Sequence, residues 1–160
     1  MLPRFKMSLK IGTLSISSSA FEQHGKIPKA YAMDGGNKSP PLALKGVPGE
    51  AKQLALVCHD PDAPLPKGFT HWVVYGIPPG TTSIPEGGGA GFVQGSNGMG
   101  KPGYIGPAPP QGHGVHHYYF WLYALGDGPE LRPGLSREAL LDAIGDRVIA
   151  QARLVGTYER

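Results

Sequence analysis

The sequence predicts a mainly β protein, a β-sandwich with one peripheral helix near its C-terminus. Three apolar runs of strand length support this fold class, at residues 53–58, 72–77 and 116–125. The 25 glycines and 17 prolines among 160 residues indicate many turns. Only one segment, residues 136–152, has helical periodicity, and a single helix is too isolated to build an α/β fold.

We expect one domain spanning residues 1–160, because this length suits a single hydrophobic core and two domains would be unusually small. Hydrophobic residues make up 40% and charged residues 17% of the chain, which excludes a disordered protein. The net charge is +3, without any run of five or more Lys or Arg residues. We therefore expect no nucleic-acid partner.

The order of elements follows from patterning and turn signals. A first strand is predicted at residues 9–13, where apolar and polar residues alternate. Residues 27–48 are polar and proline-rich, which predicts a long ordered loop with one short strand near residues 30–33. The first two apolar runs are short and continuous, as in strands buried on both faces. Residues 81–114 are predicted as a long loop, and loops of that length are usually functional.

The helix is predicted from its cap and its apolar stripe. Ser136 can act as the N-cap, and Glu138 lies in the first turn, where the helix dipole favours an acidic residue. The stripe consists of Leu140, Leu141, Ile144 and Val148. A closing strand is predicted after the helix, at residues 153–159.

Several segments bear on location and redox chemistry. Residues 1–10 contain three basic residues but no apolar segment of the signal-peptide type, and no stretch approaches about 20 apolar residues. We expect a cytoplasmic protein with at most peripheral membrane contact; an exported form whose signal has been removed is the alternative. The single cysteine, Cys58, excludes an internal disulfide, and its apolar surroundings favour a buried, unreactive thiol.

Polar side chains stand at one end of each apolar run. Asp60 follows the first run, His71 precedes the second, and His116 and Tyr118 begin the third. Since side chains two residues apart share a face of a strand, each polar group should share a face with apolar residues of its run. The predicted sets are Asp60 with Leu54, Leu56 and Cys58, His71 with Val73, Tyr75 and Ile77, and His116 and Tyr118 with Phe120, Leu122 and Ala124. The four polar groups would then meet around one small ligand pocket.

Each of these residues also has an ordinary structural explanation. An aspartate before proline, such as Asp60, is most often a turn former. His71 alone is more often a hydrogen-bonded, half-buried side chain than a ligand group. His59, His117 and Tyr119 are expected on the opposite faces of their strands. The prediction of a pocket therefore depends on the four residues taken together.

Three motifs resemble the signatures of a known family. They are Asp-Pro-Asp-Ala-Pro at residues 60–64, His-Trp-Val-Val at 71–74, and Gly-Pro-Ala-Pro-Pro-Gln-Gly at 106–112 followed by His-His-Tyr at 116–118. Together they resemble the phosphatidylethanolamine-binding protein family, also called Raf kinase inhibitor-like. The compact length and residues 122–125 look like its bacterial and archaeal branch. The resemblance covers about residues 9–158.

The resemblance implies a β-sandwich with a large central sheet and a small anion-binding cavity near the surface. The residues that it places at this cavity as ligand-binding groups are Asp60, Asp62, Pro64, His71, Gly106, Ala108, Pro109, His116 and Tyr118. It also implies a cis peptide bond before Pro64 and backbone amides offered by the loop at residues 106–109. No cofactor, metal or catalytic residue is implied.

Four positions depart from the family pattern. His59 stands where an acidic residue is common, His117 where an arginine is common, Ala108 where glycine or cysteine is usual, and Leu44 where tryptophan is frequent. None of these is a central pocket group, but His117 weakens any role that needs a fixed positive charge there. The chain also ends soon after the closing strand, without the longer C-terminal segment of eukaryotic relatives, which argues against kinase inhibition.

We expect a non-enzymatic protein that binds a phosphate-type head group, phosphatidylethanolamine-like or another phosphorylated ligand. His71, His116 and Tyr118 are expected to donate hydrogen bonds to the anion, together with loop N–H groups. Asp60 would orient a histidine or accept the ammonium of an ethanolamine group. Binding is expected to weaken as pH rises through the histidine pKa values.

Two other functions stay open at this point. A hydrolase could use Asp60 with His71 or His116, or hold a metal with all three, but Gly-Ser-Asn-Gly at residues 95–98 is not a nucleophile elbow. An interaction protein could inhibit or scaffold a kinase or protease through its surface. Small relatives of this kind are often dimers, so a homodimer is a further expectation.

Overall fold

The computed structural model describes residues 13–127 and 129–160. The strand predicted at residues 9–13 lies outside this part of the chain, apart from Thr13, which is in a turn. In chain order the described strands are β1 (Ser15–Ser17), β2 (Gly25–Lys26), β3 (Leu42–Lys45), β4 (Gln53–Asp60), β5 (Phe69–Ile77), β6 (Ser83–Ile84), β7 (Val93–Gln94), β8 (His116–Leu125) and β9 (Val148–Tyr158). Helix α1 (Arg137–Ile144) lies between β8 and β9.

The strands form two sheets. The small sheet has the order β1-β3-β6, and the large sheet has the order β2-β9-β8-β4-β5-β7. Neighbouring strands of the large sheet are antiparallel, except that β2 runs parallel to β9. The predicted mainly β sandwich with a large central sheet and a peripheral helix is therefore confirmed.

Two apolar layers hold these elements together. One lies between the sheets and includes Leu42, Ile84, Leu54 and Leu122. The other lies between the large sheet and α1 and includes Val57, Tyr75, Leu140 and Ile144. Every residue of β4 is buried, as its continuously apolar sequence predicted. The central strands of the large sheet thus form a rigid base for side chains at their ends.

Strand β8 alternates as predicted. His116, Tyr118 and Phe120 are buried, whereas His117 and Tyr119 are half-buried on the opposite face. Its register with β4 places Phe120 opposite Cys58, so the polar end of β8 lies beside the polar end of β4. The first and third predicted faces are both confirmed.

Strand β5 departs from the predicted alternation because its pairing with β4 slips twice. One extra residue of β5 is accommodated at His71 and another at Gly76, whose φ of +66° suits glycine. The flanking pairs are Cys58–Trp72 and His59–Thr70 around His71, and Leu56–Val74 and Leu54–Ile77 around Gly76. Val73 and Tyr75 consequently face α1, and Trp72 packs in the layer between the sheets. The predicted common face of His71, Val73, Tyr75 and Ile77 is therefore wrong.

Helix α1 begins as predicted but is shorter. Ser136 caps it by accepting a hydrogen bond from the Ala139 N–H at 3.1 Å. Leu140 and Ile144 are buried against the large sheet. The helix ends at Ile144, and the 3-10 turn Gly145–Arg147 follows it.

The closing strand β9 begins at Val148 instead of residue 153. Val148 pairs with Leu125, and Ala150 pairs with Ala124, at the far end of β8. Pairing along the full length of β8 supplies hydrogen-bond partners for the backbone N–H and C=O groups of these residues. Val148 and Ile149 are β-branched, and such residues are favoured in strands. Strand pairing therefore replaces residues 148–152 of the predicted helix.

The proline-rich segment also differs from the prediction. No strand forms near residues 30–33 of the described chain; Lys29–Tyr31 is a 3-10 turn that starts after Pro28. The short strand of this segment is β3, whose Leu44 pairs with Ile16 of β1. The long loop at residues 81–114 contains the two-residue strands β6 and β7.

Two further predictions concern the thiol and the membrane. Cys58 is buried between the sheets, as predicted, and burial raises the pKa of its thiol well above the ordinary value, which favours the unreactive thiol form. Among the helices of residues 13–127 and 129–160, none has the length and apolar character needed to cross a bilayer.

Candidate functional site

A surface cavity of about 520 Å³ lies where the polar ends of β4, β5 and β8 meet. Asp60, His71, His116 and Tyr118 all line it, although they come from three strands. The bulge in β5 brings His71 to this side of the sheet. Other predicted site residues that line the cavity are Pro64, Gly106, Ala108 and Pro109. Their role in binding a ligand stays a prediction.

The Asp60 carboxylate is buried and accepts two hydrogen bonds. Its Oδ1 accepts from the backbone N–H of Asp62 at 2.7 Å, and its Oδ2 lies 2.6 Å from Nδ1 of His116. The first contact is the turn-forming role that an aspartate before proline commonly has. The second fixes the ring of His116, with a proton between Nδ1 and the carboxylate. Asp60 therefore closes the turn and orients His116 at once.

His113 extends this contact towards the surface. Its Nδ1 lies 2.6 Å from Nε2 of His116, so both ring nitrogens of His116 have partners. His113 was not among the predicted site residues. One feature of the sequence could have indicated His113: it lies three residues before His116, with Gly114 between them. Gly114 has a φ of +99°, a turn conformation that glycine adopts readily. His116 is consequently less free to donate to a ligand than was expected.

His71 presents an acceptor to the cavity. Its Nδ1 lies 2.6 Å from the carbonyl oxygen of Ile105 and donates to it. Burial lowers the pKa of His71 to about 4, against opposing contributions from the Ile105 carbonyl and Asp60. The ring is therefore neutral near pH 7, and its Nε2 carries a lone pair. This differs from the donor role expected from the sequence, because the only N–H of the neutral ring is already used.

Tyr118 presents the complementary donor. The residue is 1% exposed, and its hydroxyl is a buried polar group without a hydrogen-bond partner among the described residues. Burial, followed by the nearby Asp60 charge, raises the pKa of Tyr118, so the hydroxyl keeps its proton. The Tyr118 and His71 rings meet edge to face with centroids 5.2 Å apart.

The loop at residues 105–110 offers fewer amides than expected. The Gly106 N–H donates to Oδ1 of Asn37 at 2.8 Å, and the Ile105 N–H donates to the carbonyl of His71 at 2.9 Å. Residues 107, 109 and 110 are prolines and have no N–H. The Ala108 N–H alone has no partner within the described chain. A cage of several loop amides is therefore replaced by a single donor.

Gly106 has a packing role. A Cβ at this position would clash with the carbonyl oxygen of Tyr31, so the loop can approach the 3-10 turn only with glycine here. Arg160 holds the next part of the loop, because its Nε donates to the Pro109 carbonyl at 2.8 Å. The Arg160 guanidinium also lies 3.5 Å from the Asp34 carboxylate. From the sequence, Asn37 was expected only in a turn, and neither Asn37 nor Arg160 was expected at the site.

Two sequence expectations at the neighbouring loop are corrected. Asp62 does not line the cavity; its Oδ2 accepts from the backbone N–H of His117 at 2.8 Å and lies 2.7 Å from the Nδ1 of His117. Burial acts to raise the pKa of Asp62, but these hydrogen bonds outweigh it and lower the pKa. The pair ties the loop to the start of β8. The peptide bond before Pro64 is trans, since the described residues contain no cis peptide.

The mouth of the cavity is apolar. Met33, Leu65 and Met99 line it and are 53%, 53% and 61% exposed. The fourth large hydrophobic residue exposed in the described chain, Val115, does not line the cavity. We call Met33, Leu65 and Met99 the apolar rim. Lys101 is the lining residue with a positive charge.

The sequence matches a known protein family. A family model described as phosphatidylethanolamine-binding protein matches residues 17–159. The chain belongs to the phosphatidylethanolamine-binding protein family. The family resemblance inferred from the three motifs is thereby confirmed.

Relatives of this family match along almost their whole length. A UPF0098 protein of Methanothermobacter thermautotrophicus is 48% identical over 153 residues, which cover 92% of this chain and 99% of the relative. The crystal structure of a putative phosphatidylethanolamine-binding protein homolog from Chlamydia trachomatis has a TM-score of 0.88 at 39% identity, covering 92% of this chain and 98% of that one. E. coli YBCL, described as a new member of the mammalian family, has a TM-score of 0.86 at 30% identity, covering 93% and 99%.

Three of the four departures from the family motifs have structural roles outside the cavity, whereas Ala108 lines it. His59 lies on the face opposite Asp60, and its Nδ1 is 3.0 Å from the Thr70 hydroxyl. His117 pairs with Asp62, as described above. Leu44 is 1% exposed in the layer between the sheets. None of the three enters the cavity.

The arrangement does not provide the metal site considered as an alternative. Across residues 13–127 and 129–160, no three His, Cys, Asp or Glu side chains are grouped to hold a metal ion. Asp60 and His116 bond to each other, and His71 Nδ1 bonds to the Ile105 carbonyl. What the site offers is a set of hydrogen-bonding groups at the base of a mostly apolar cavity.

Proposed function

We propose that this protein binds a small phosphate-type group in the cavity between Asp60, His71, His116 and Tyr118, without catalysing a reaction. The observation that supports this most is the Tyr118 hydroxyl, a fully buried donor without a protein partner. Leaving such a group unpaired costs about 1–3 kcal/mol, so its retention at the base of a cavity favours a ligand partner.

The proposed ligand carries an apolar part beside its phosphate-type group. The apolar rim places three exposed side chains around the mouth, where the remainder of a lipid-like molecule would lie. Phe69 and Ile105 continue the apolar wall below the rim. Lys101 adds one positive charge, which favours an anionic head group.

The lack of a Ser, Thr or Cys nucleophile among the described lining residues supports a binding role over hydrolysis. His116 has partners on both ring nitrogens, and the Nδ1 of His71 is taken by a backbone carbonyl. Regulation of a kinase or protease partner stays a prediction.

Calorimetric titration with phosphoethanolamine tests the binding proposal. We expect Tyr118→Phe to weaken binding by about tenfold, because it removes one hydrogen bond to the ligand. Tyr75→Phe is the matched control, since Tyr75 is a buried tyrosine on the opposite face of the sheet. His116→Ala should also weaken binding. Equal affinities of wild type and Tyr118→Phe would contradict the proposal.

A second titration tests the apolar part of the ligand. Hexyl phosphate, a monoester with an alkyl chain, should bind more tightly than phosphoethanolamine, and Met99→Ser should reduce only the affinity for the alkyl-bearing probe. Val115→Ser is the matched control, because Val115 is similarly exposed but lies outside the cavity. An equal loss of affinity in Met99→Ser and Val115→Ser would show that the apolar rim does not contact the ligand.

A further inference from the structure

The described cavity has few hydrogen-bond donors for a fully ionised phosphate group. A doubly charged phosphate monoester presents three oxygens that each accept hydrogen bonds. The Tyr118 O–H is the one unpartnered donor buried at the base, and the Ala108 N–H is the one free loop amide of the described site. Lys101 and the amide nitrogen of Asn37 are on exposed residues at the periphery. The described base of the cavity thus gives such an anion fewer donors than it needs.

The same base holds unused acceptor capacity. His71 directs a lone pair on Nε2 into the cavity, because its Nδ1 proton is held by the Ile105 carbonyl. The Asp60 carboxylate adds a negative charge that repels a dianion. The other titratable groups near His71 are His116 and Tyr118 on β8, which line the cavity with it, and His59, which lies on the opposite face of β4. None of these supplies a fixed positive charge beside His71.

From this geometry we infer that the cavity selects an acid in its singly protonated form, whose OH donates to Nε2 of His71 while another of its oxygens accepts from Tyr118. The inference rests on the proposed function and names the protonation state of the ligand. A hydrogen phosphate monoester has both groups on adjacent oxygens. A neutral histidine and a protonated tyrosine then bind it without either side chain changing its charge.

Two isosteric probes separate this inference from simple anion binding. Methyl phosphate as a monoanion and methyl sulfate have the same charge and nearly the same shape, but only methyl phosphate has an OH. At pH 5.5 we expect methyl phosphate to bind about tenfold or more tightly than methyl sulfate, because methyl sulfate leaves the His71 acceptor unpaired. Calorimetry on the wild-type protein gives both affinities.

The pH dependence gives a second readout. A phosphate monoester loses its second proton with a pKa of about 6. Above that pH, the affinity for methyl phosphate should fall about tenfold per pH unit. Binding at pH 8 should take up close to one proton per ligand, measured by calorimetry in buffers of different ionisation enthalpy. Methyl sulfate should take up none.

The outcomes distinguish the two proposals. Equal affinity for the two probes, or proton uptake with methyl sulfate, would mean that the protein supplies the proton and would overturn the inference while leaving anion binding intact. Failure of both probes and of phosphoethanolamine to bind would overturn the proposed function and the inference together. In His71→Ala, the preference for methyl phosphate over methyl sulfate should disappear.

Discussion

The Nδ1 of His116 lies 2.6 Å from the Oδ2 of Asp60, and the two side chains are only 2% and 3% exposed. A buried pair of this kind is tolerated when the remaining polar atoms are also satisfied. Here the second oxygen of Asp60 accepts from the Asp62 N–H, and the second nitrogen of His116 contacts His113. The pair therefore fixes the position of both side chains at the wall of the cavity.

Breaking this pair from one side should cost stability. We expect His116→Ala to lower the free energy of unfolding by about 3 kcal/mol, because it leaves a buried carboxylate with one hydrogen bond. In a double-mutant cycle with Asp60→Asn, the double variant should lose clearly less than the sum of the single losses. Urea denaturation at pH 7 measures all four proteins.

The exposed pair Asp62–His117 provides the control for that cycle. Its side chains are 40% and 44% exposed, so we expect a coupling below about 1 kcal/mol. A coupling of the same size in the buried and exposed pairs would show that burial does not strengthen the Asp60–His116 contact.

Removing the Tyr118 hydroxyl should not lower stability. Since this hydroxyl has no partner in the described protein, Tyr118→Phe relieves an unpaired buried group, and the urea midpoint should stay the same or rise. Tyr75→Phe is the opposite case. The Tyr75 hydroxyl donates to the Arg132 carbonyl at 2.6 Å and accepts from the Leu135 N–H at 3.1 Å, so its loss should cost about 1–3 kcal/mol. Equal losses in the two variants would mean that Tyr118 has a partner in solution.

The sequence was sufficient for part of this site and insufficient for the rest. In β8, His116 and Tyr118 could be assigned to the buried face from the sequence, because side chains of an unbroken strand alternate strictly between its two faces. His71 reached the same cavity only through a bulge, and the register of β5 against β4 is a property of the pair that neither strand encodes alone. The motif resemblance nevertheless identified His71 correctly as a lining residue.

The hydrogen-bonding roles of the site residues were harder to predict from the sequence than their positions. His71 can accept a hydrogen bond at Nε2 because its Nδ1 donates to the Ile105 carbonyl, 34 positions away in the chain. The Gly106 amide is likewise taken by Asn37, 69 positions away. Which atoms remain free at a site depends on such distant contacts, and a local pattern contains no information on them. The fold class needed only strand-length runs and one capped helix, so it could be predicted.

His71 should make stability depend on pH. Its pKa in the folded protein is about 4, below the ordinary 6.5, because burial disfavours the charged ring. A depressed pKa contributes stability that is fully present above pH 6.5 and is lost as pH falls towards 4. The full shift corresponds to roughly 3 kcal/mol. Urea denaturation between pH 4 and 7.5 should therefore show a steeper loss for wild type than for His71→Gln. His24→Asn, which replaces an exposed histidine with φ of +65° by a residue that tolerates this φ, should retain the wild-type slope.

The close approach of Gly106 to the 3-10 turn predicts a strong effect of one methyl group. Gly106→Ala places a Cβ against the backbone carbonyl of Tyr31, and a backbone atom cannot move aside as a flexible side chain can. We expect a loss of about 1–3 kcal/mol together with displacement of the loop that lines the cavity. Gly80→Ala is the control, because a Cβ there meets nothing within 4 Å and should change stability little. Thermal unfolding measures the first effect, and titration with phosphoethanolamine measures the second. If Gly106→Ala retained both wild-type stability and wild-type affinity, the contact between the loop and the turn would not be needed to shape the site.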